Sequence, residues 1–388
     1  MELLAAALDG SGPAILPVDP DLPPARLAAL LEALAPATIE TTQGTQRMPA
    51  SPSATRGLGG APAPLGQDTA VVIATSGSTG EPKGVELSAA ALVCSARASL
   101  DRIGARAGDA WLSCLPPSHI AGLQVFIRSL LAGTAPVVRE RLDGAVAAAA
   151  GCQFISVVPT QLRRLARGPD ARAALSGFQA ILLGGAAVPP GLLEAARSAG
   201  GKVTTTYGMT ETCGGCVYDG IPLDGVSVEV GAAGRIRIAG PVLFSGYRGR
   251  PDLTGQAMDG RWFVTSDVGE LGPSGRLAVL GRADGMINTG GEKVAAAEVA
   301  AALEASPGVR EAAVTGQPDA EWGEIVTAIV VPADPSAPPV LADLRAQLRG
   351  RLPDSALPRA LVLVAALPLL PSGKPDLLAL RALARSGA

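Results

Sequence analysis

The residues best suited to chemistry form one glycine- and hydroxyl-rich run, TSGSTGEPKG, at positions 75–84. The run follows an apolar β-type segment, and a loop of this kind exposes backbone N–H groups and hydroxyls that can hold phosphate oxygens. It is not a Walker A loop, because that motif cannot be aligned on it and Gly84 directly follows Lys83. The run predicts a phosphate site, and a flexible Ser/Gly turn is the alternative for this loop taken alone.

Histidine and cysteine, which serve as bases, nucleophiles and metal ligands, are sparse in this chain. His119 is the one histidine, which excludes H-E-x-x-H sites and leaves a Ser-His-Asp triad a single base. Cys213 and Cys216 form one C-x-x-C, with no second pair or nearby histidine to complete a zinc site. Two glycines separate these thiols, whereas a thioredoxin-like motif would open a helix. We interpret the pair as reduced thiols in a packed loop, with a metal or redox role as the alternative.

The elements that must position these residues alternate along the chain from about residue 70. β-type runs are found at 71–75, 111–115, 154–158, 180–183 and 202–206, and helices are predicted at 88–100, at 122–131, from near 160 and at 192–198. This alternation predicts an α/β fold with a mostly parallel, doubly wound sheet. The loops TSGSTG, PPSHIAG, LLGGAAV and YGMTET are expected at the carboxyl ends of its strands. Residues 41–66 are rich in Pro, Ser and Gly and predict a loop.

The pattern changes twice in the second half of the chain. Short β-type runs between 225 and 280 predict a β-rich subdomain. After Arg282, helices at 296–305 and 340–349 with strands at 312–315 and 325–331 predict a small α+β unit. With a boundary near 281–285, the predicted domains are a large N-terminal domain, 1–283, and a small, mobile C-terminal domain, 284–388.

Composition excludes several classes of partner. Of 388 residues 48% are hydrophobic, the net charge is -3 and no run of Lys or Arg is present, so neither a nucleic acid nor an anionic membrane is implied. The amino terminus has no basic region typical of a signal peptide, and the apolar stretch at 361–370 is too short for a membrane span. We expect a soluble, cytoplasmic protein that acts on small molecules, and a homodimer is compatible with the sequence.

Several ordered segments resemble the signatures of the adenylate-forming superfamily, which includes acyl- and aryl-CoA ligases, luciferases and nonribosomal peptide adenylation domains. They are TSGSTGEPKG at 75–84, YGMTE at 207–211, WFVTSD at 262–267, GRAD at 281–284, GGEK at 290–293 and PSGK at 371–374. Their order matches the family, and together they extend from residue 75 almost to the carboxyl terminus. The portion before the first segment is shorter than in many relatives, so part of the first subdomain is expected to be missing or reduced.

The resemblance implies a ligase that uses ATP, Mg²⁺ and coenzyme A and forms an acyl adenylate. In that scheme Lys374 bridges the attacking carboxylate and the α-phosphate, Thr210 hydrogen-bonds the α-phosphate, and Glu211 binds Mg²⁺. Tyr207 would stack on adenine, and Asp267 would accept from the ribose hydroxyls. The implied ATP-binding set is Thr75, Ser76, Gly77, Ser78, Thr79, Gly80, Lys83, Gly184, Gly185, Ala186, Tyr207, Gly208, Asp267 and Arg282.

The segment around Asp284 resembles the hinge of the superfamily. There the small domain rotates between adenylation, served by the lysine loop, and thioester formation, served by the glycine-rich turn. The implied hinge and CoA residues are Asp284, Gly290, Gly291 and Lys293. A simple turn residue before Gly285 is the alternative for Asp284.

Two segments, at 117–129 and 210–220, most resemble short bacterial o-succinylbenzoate–CoA ligases of menaquinone biosynthesis. Their acid has a second carboxylate, on an aromatic ring, that needs a fixed partner in an apolar pocket. Arg128 interrupts an apolar helix and is the predicted cation, and His119 is predicted to line or gate the pocket. The alternative is that Gln124 and Arg128 form a solvated helix face. A CoA ligase for another aryl or fatty acid, and an enzyme that loads a carrier protein, also remain open.

Overall fold

The computed structural model describes residues 1–41, 44–48, 66, 68–76, 82–188, 191–290, 292–369 and 375–386, with the backbone alone at Ser76, Asp284 and Lys293. The predicted fold class is confirmed: helices cover a mostly parallel sheet, antiparallel sheets flank it, and a small α+β region follows. None of the described helices is long and apolar enough to cross a membrane.

The first elements are two helices and two antiparallel strand pairs. They are α1 (Glu2–Asp9), α2 (Pro24–Leu34), β1 (Thr38–Thr41), β2 (Gly44–Arg47), β3 (Thr69–Ser76) and β4 (Pro82–Ser88). Because β1 and β2 form a hairpin, the predicted loop over 41–66 is wrong for residues 44–47, and most of its remainder lies outside the described residues. β3 and β4 also pair antiparallel. The glycine-rich run 75–84 therefore connects two antiparallel strands. The prediction that it lies at the carboxyl end of a strand of the parallel sheet and leads into a helix is wrong.

A helix was expected after the glycine-rich run, but strand β4 comes first because the residues of β4 fit a buried β-pairing. Val85 and Leu87 are fully buried, and Glu86 between them accepts from Arg248, with Arg248 Nη1 3.5 Å from Glu86 Oε1. Helix α3 (Ala89–Ile103) begins only after this strand. Its amino end is the predicted one, since Ser88 Oγ accepts from the backbone N–H of Ala91 at 3.1 Å.

The central sheet and its helices occupy residues 111–222. They are β5 (Trp111–Ser113), α4 (Ile120–Leu131), β6 (Val137–Val138), α5 (Gly144–Ala149), β7 (Phe154–Val157), α6 (Pro159–Arg167), α7 (Ala171–Ser176), β8 (Ala180–Leu183), α8 (Leu192–Ser198), β9 (Val203–Met209), β10 (Gly214–Tyr218) and β11 (Ile221–Pro222). The seven strands follow the order β11-β10-β9-β8-β7-β5-β6. Pairing is parallel from β6 to β9 and antiparallel at β10 and β11.

Helices cover both faces of this sheet, so its strands are apolar on both sides. Trp111 and Phe154 lie buried on the face covered by α3 and α4, and Leu112 and Ile155 lie buried on the face of α6 and α8. The loops PPSHIAG, LLGGAAV and YGMTET follow β5, β8 and β9. Three of the four predicted loops therefore lie at the carboxyl ends of parallel strands, where ligands collect in doubly wound sheets.

Gly208 in β9 illustrates how closely the reversal into β10 is packed. A Cβ at Gly208 would lie 2.0 Å from the carbonyl oxygen of Gly214. We expect Gly208→Ala to destabilise the protein by about 1–3 kcal/mol, the usual cost of overpacking. Gly255→Ala is the matched control, because an added Cβ in that exposed helix meets nothing within 4 Å, and about 0.5–1 kcal/mol of stabilisation is expected there. The measurement is the midpoint of urea unfolding, followed by tryptophan fluorescence. If the midpoint changed by the same amount in both variants, the close packing at Gly208 would be contradicted.

The β-rich subdomain predicted for residues 225–280 is present. It contains β12 (Ser227–Val230), β13 (Arg235–Ala239), β14 (Gly246–Tyr247), α9 (Pro251–Ala257), β15 (Met258–Asp259), β16 (Trp262–Leu271) and β17 (Leu277–Arg282). Strands β12, β13, β16, β15 and β17 form one antiparallel sheet. β14 instead pairs with β4, which ties this region to the strand that follows the glycine-rich run.

A different sheet begins after a 3-10 turn, Ala283–Gly285. Its elements are β18 (Met286–Thr289), β19 (Glu292–Ala295), α10 (Ala296–Glu304), β20 (Val309–Asp319), β21 (Gly323–Pro332), α11 (Leu341–Leu348), β22 (Ala360–Leu363) and α12 (Leu377–Ser386). This region has its own apolar core, in which Val299, Leu303 and Val326 are fully buried. The sheets change at the predicted boundary, and the division into domains 1–283 and 284–388 stays a prediction.

One ion pair joins this last region to the helices of the central sheet. Arg163 Nη2 in α6 lies 2.8 Å from Glu304 Oε2 in α10, and both side chains are largely buried. The other carboxylate oxygen of Glu304 accepts from the backbone N–H of Ala312 at 3.3 Å. The contact therefore joins two helices that pack against different sheets.

Candidate active site

Tyr207 and Asp267, which are 60 residues apart, meet at the carboxyl end of β9. Tyr207 Oη donates to Asp267 Oδ2 at 2.8 Å. Burial, and then the neighbouring carboxylate, raise the pKa of Tyr207 far above its ordinary value, so its hydroxyl remains a donor. A carboxylate has about four acceptor positions. Asp267 therefore keeps capacity to accept from a ligand beside the tyrosine ring.

Strand register places Arg282 next to the same aspartate. Asp267 in β16 is directly opposite Arg282 in β17. Thr265 Oγ1 accepts from the backbone N–H of Asp267 at 3.0 Å and holds the strand at this point. Three residues assigned to ATP, Tyr207, Asp267 and Arg282, are therefore brought together.

Glu211 forms the second centre of the site. It lies in the 3-10 turn Thr210–Thr212 that follows β9, and its Oε1 accepts from Tyr247 Oη at 2.8 Å. Lys83 Nζ lies 5.3 Å from the centroid of the Tyr247 ring. Burial, followed by the charge of Glu211, raises the pKa of Tyr247, which keeps its hydroxyl protonated. The arrangement places a lysine over the ring of Tyr247 and a carboxylate at its hydroxyl.

Tyr247 was missed by the sequence reasoning. It lies in β14, 36 residues after Glu211, and its ring packs edge-on against Phe244 at 5.0 Å between centroids. The sequence feature that could have drawn attention to Tyr247 is the scarcity of tyrosine, since the chain has only 3. Tyr207, Tyr218 and Tyr247 all take part in the polar contacts of this region.

The Gly184-Gly185-Ala186 segment follows β8 beside the tyrosine strand. A Cβ at Gly184 would lie 2.3 Å from Thr206 Oγ1, so the backbone of this loop approaches β9 more closely than another residue allows. Thr206 immediately precedes Tyr207. The segment therefore lies next to the ring on which adenine is expected to stack.

The two strands flanking the glycine-rich run are described, but the centre of the run is not. Thr75 and Lys83 are partners in the β3–β4 pairing. Outside the described residues lie Gly77, Ser78, Thr79, Gly80, Gly291 and Lys374, and only the backbone is described at Ser76, Asp284 and Lys293. Gly290 donates its backbone N–H to the carbonyl of Trp322 at 2.9 Å. The roles assigned to these residues stay predictions.

Arg128 lies in the core beneath these loops and is 4% exposed. Gln124 is 5% exposed, so the alternative of a solvated helix face is wrong. Gln124 Nε2 donates to the carbonyl of Cys213 at 2.8 Å. Desolvation lowers the pKa of Arg128, because burial disfavours the charged form. Among the described residues no carboxylate forms an ion pair with this guanidinium.

His119 and the two cysteines of the C-x-x-C lie close to the same loops. His119 is the residue before α4, and its side chain is half-buried. Cys213 and Cys216 are free and fully buried, and they belong to different apolar clusters. Desolvation raises the pKa of both thiols, to about 12 for Cys216. Across the described part of the chain, no three His, Cys, Asp or Glu side chains are grouped to hold a metal.

Comparison with known proteins identifies the family. The model of the AMP-binding enzyme family matches residues 3–248, and the model of the AMP-binding enzyme C-terminal domain matches residues 298–374. A probable 2-succinylbenzoate–CoA ligase of Mycobacterium tuberculosis is 45% identical over 327 residues, which cover 81% of this chain and 85% of that protein.

Solved structures of the o-succinylbenzoate CoA synthetase (MenE) from Bacillus subtilis have the same fold. Its complex with the acyl-adenylate intermediate OSB-AMP is 30% identical, with a TM-score of 0.72 over 80% of this chain and 69% of that one. Its complex with ATP and magnesium ion gives the same identity and TM-score over 83% and 71%. The chain belongs to the AMP-binding enzymes, the adenylate-forming family that its ordered motifs had predicted.

Proposed function

We propose that the chain is an ATP-dependent ligase that joins o-succinylbenzoate to coenzyme A through an acyl adenylate, in menaquinone biosynthesis. Since ATP and CoA are cytoplasmic metabolites, we place the reaction in the cytoplasm. That the protein forms a homodimer stays a prediction. The likeness to relatives named for this reaction supports the class of enzyme. The observation that carries the choice of acid is Arg128, a buried cation without a carboxylate partner among the described residues.

The charge of Arg128, uncompensated among the described residues, favours a diacid as the substrate. A buried ion needs a partner, because taking a charge out of water costs several kcal/mol or more. Within the described part of the chain, the acceptors that Arg128 contacts are all neutral. A ligand carboxylate would supply the missing counter-charge. o-Succinylbenzoate carries such a group on its ring in addition to the carboxylate that is activated.

In the first half-reaction the succinyl carboxylate attacks the α-phosphate of ATP and displaces pyrophosphate. Charge accumulates around phosphorus, so fixed donors and cations lower the barrier. We assign Lys374 to the attacking and α-phosphate oxygens, and Thr210 to the α-phosphate. Tyr207, with Asp267 and Arg282, would hold the adenosine, and the run 75–84 with Lys83 would hold the β- and γ-phosphates.

Glu211 fits a magnesium ion. Mg²⁺ bound to nucleotide phosphates usually takes one or two protein carboxylates, and Glu211 is a single carboxylate beside Lys83 and Tyr247. The ion would neutralise charge on the phosphate oxygens. Tyr247 holds the Glu211 side chain in place by donating to Oε1.

In the second half-reaction the thiol of CoA attacks the acyl adenylate and displaces AMP. We propose that residues 284–388 rotate about Asp284 between the two steps, which exchanges the lysine loop for the turn at Gly290 and Gly291. Lys293 follows this turn and would contact CoA. The change of sheet at Ala283–Gly285 supports a hinge at this point.

The test is pyrophosphate release across a panel of acids, followed by mass detection of the CoA product. The panel contains o-succinylbenzoate, the analogue lacking its ring carboxylate, benzoate and a medium-chain fatty acid. We expect o-succinylbenzoate to give the highest kcat/KM and a CoA thioester. Turnover of fatty acids without turnover of o-succinylbenzoate would contradict the substrate but leave the ligase standing. Adenylate formation without a CoA product would favour the loading of a carrier protein.

A further inference from the structure

The Arg128 side chain is held on three sides by neutral acceptors. Its Nε donates to the carbonyl of Gln124 at 2.9 Å, Nη1 donates to Ser99 Oγ at 3.2 Å, and Nη2 donates to Ser156 Oγ at 3.3 Å. The guanidinium stacks on the Trp111 ring, with 4.2 Å between its central carbon and the ring centroid. Both the plane and the edges of the guanidinium are therefore fixed.

The guanidinium has five N–H groups, and these contacts use three. One N–H on each terminal nitrogen lacks an acceptor among the described residues. The buried Nε1–H of Trp111 also lacks one in the same part of the chain. Over the described residues, three donors are thus unused, two on Arg128 and one on Trp111, against the unpartnered buried acceptor Gln124 Oε1 on the helix of Arg128. This excess of donors suits an anion with several lone pairs.

Ser99, one of the two serines that accept from Arg128, is itself held by Tyr218. Ser99 Oγ and Tyr218 Oη lie 2.7 Å apart, and both side chains are buried. Since Arg128 donates to Ser99, the polarised Ser99 hydroxyl is a good donor to Tyr218 in turn. The three groups come from α3, α4 and β10, so the orientation of Arg128 depends on contacts between distant segments.

The position of this cluster relates it to the ligand loops. Ser156 is the next-to-last residue of β7, and Trp111 begins the neighbouring strand β5. The loop that contains His119 follows β5 and leads into α4, which carries Arg128. The cluster therefore lies below the carboxyl edge of the parallel sheet, where this fold binds its ligands.

We propose that Ser99, Ser156 and Tyr218 are positioning residues that aim the two remaining N–H groups of Arg128 at the second carboxylate of the acid. The inference rests on the proposed function, because it assumes that the acid carries that group. It assigns the discrimination of a diacid from a monoacid to hydroxyls that do not themselves touch the substrate. Tyr218 acts furthest from the ligand, through Ser99.

The experiment compares kcat/KM for o-succinylbenzoate with that for the analogue lacking the ring carboxylate. Tyr218→Phe keeps the buried ring and removes only the hydroxyl, and Ser99→Ala removes the next link. Tyr218→Phe removes one neutral hydrogen bond, so we expect a loss of about two- to tenfold for the diacid, with the analogue and the ATP KM unchanged. Ser99→Ala removes that bond and the one from Arg128, so its loss for the diacid should be at least as large. In an Arg128→Gln background the effect of Tyr218→Phe should disappear, as a double-mutant cycle requires for a residue acting through another.

Ser95→Ala is the matched control for Ser99→Ala. Ser95 is a buried serine one turn earlier in α3, and its hydroxyl donates to the carbonyl of Cys213 and not to the arginine. This variant should preserve the ratio of the two kcat/KM values. Melting temperatures of all variants separate loss of fold from loss of selectivity.

Four outcomes would overturn the inference. Equal losses on both acids, or a Tyr218→Phe effect that persists without Arg128, would show that the hydroxyls only support the fold. A diacid preference that Arg128→Gln removes but Tyr218→Phe and Ser99→Ala leave intact would refute the positioning roles alone. If the parent enzyme does not prefer the diacid at all, the proposed substrate fails and the positioning roles fail with it.

Discussion

Lys374→Ala is expected to lower acid-dependent pyrophosphate release by about 10²–10³-fold, the usual cost of removing one charge-stabilising group from a transition state. The same variant should still convert a supplied acyl adenylate and CoA to the thioester. The separation arises because Lys374 is assigned to the attack on the α-phosphate alone. Pyrophosphate release and single-turnover thioester formation measure the two half-reactions independently.

Lys202→Ala is the control for this prediction. Lys202 is exposed and lies just before β9, away from the assigned groups, so both half-reactions should continue at the parent rate. If Lys374→Ala abolished both half-reactions, the lysine would have a structural role or the proposed alternation would be wrong.

Arg128→Gln is expected to reduce kcat/KM for o-succinylbenzoate by roughly ten- to hundredfold, because a charge-assisted hydrogen bond contributes about 1.5–3 kcal/mol. The ATP KM should hardly change, since Arg128 is not among the residues assigned to the nucleotide. The analogue without the ring carboxylate should be a poor substrate for the parent and should lose little more in the variant. Steady-state kinetics with both acids measure the difference.

A second buried arginine provides the control. The side chains of Arg248 and its partner Glu86 are each 10% exposed. Arg248 directly follows β14, which pairs with β4 and not with the central sheet. Arg248→Gln leaves a buried carboxylate unpaired, so we expect lower stability but similar losses with both acids. A similar response from Arg128→Gln would mean that Arg128 serves the fold and does not bind the acid.

Much of the site was predictable because its residues follow strands. Tyr207 ends a β-type run, Asp267 lies in another, and each was assigned to ATP separately from its own motif. Their contact was not predicted, because it joins two sheets across 60 residues. Tyr247 was missed for the same reason: its own segment has no distinctive motif, and its role becomes visible only through Glu211.

The errors in the fold have a similar origin. The run 75–84 suggested a strand-to-helix turn, but the pairing of β4 with both β3 and β14 made the following residues a strand. Gln124 and Arg128 are four residues apart on a helix, and this spacing alone left a solvated face open as the alternative to a buried site. Their burial depends on acceptors from α3, β7 and the turn after β9, which local periodicity does not report.

The Arg163–Glu304 bridge has a consequence for the time course of catalysis. It joins α6 to α10. The proposed rotation about Asp284 would pull the two charges apart, so the bridge would exist in at most one of the two proposed arrangements. Dissolved salt has little effect on the paired, largely buried charges, but it stabilises the two charges once they are separated and exposed to solvent. Raising the ionic strength therefore shifts the populations of the two arrangements. The rates of the two half-reactions should then change in opposite directions, which makes the salt response a direct measure of which one the bridge favours.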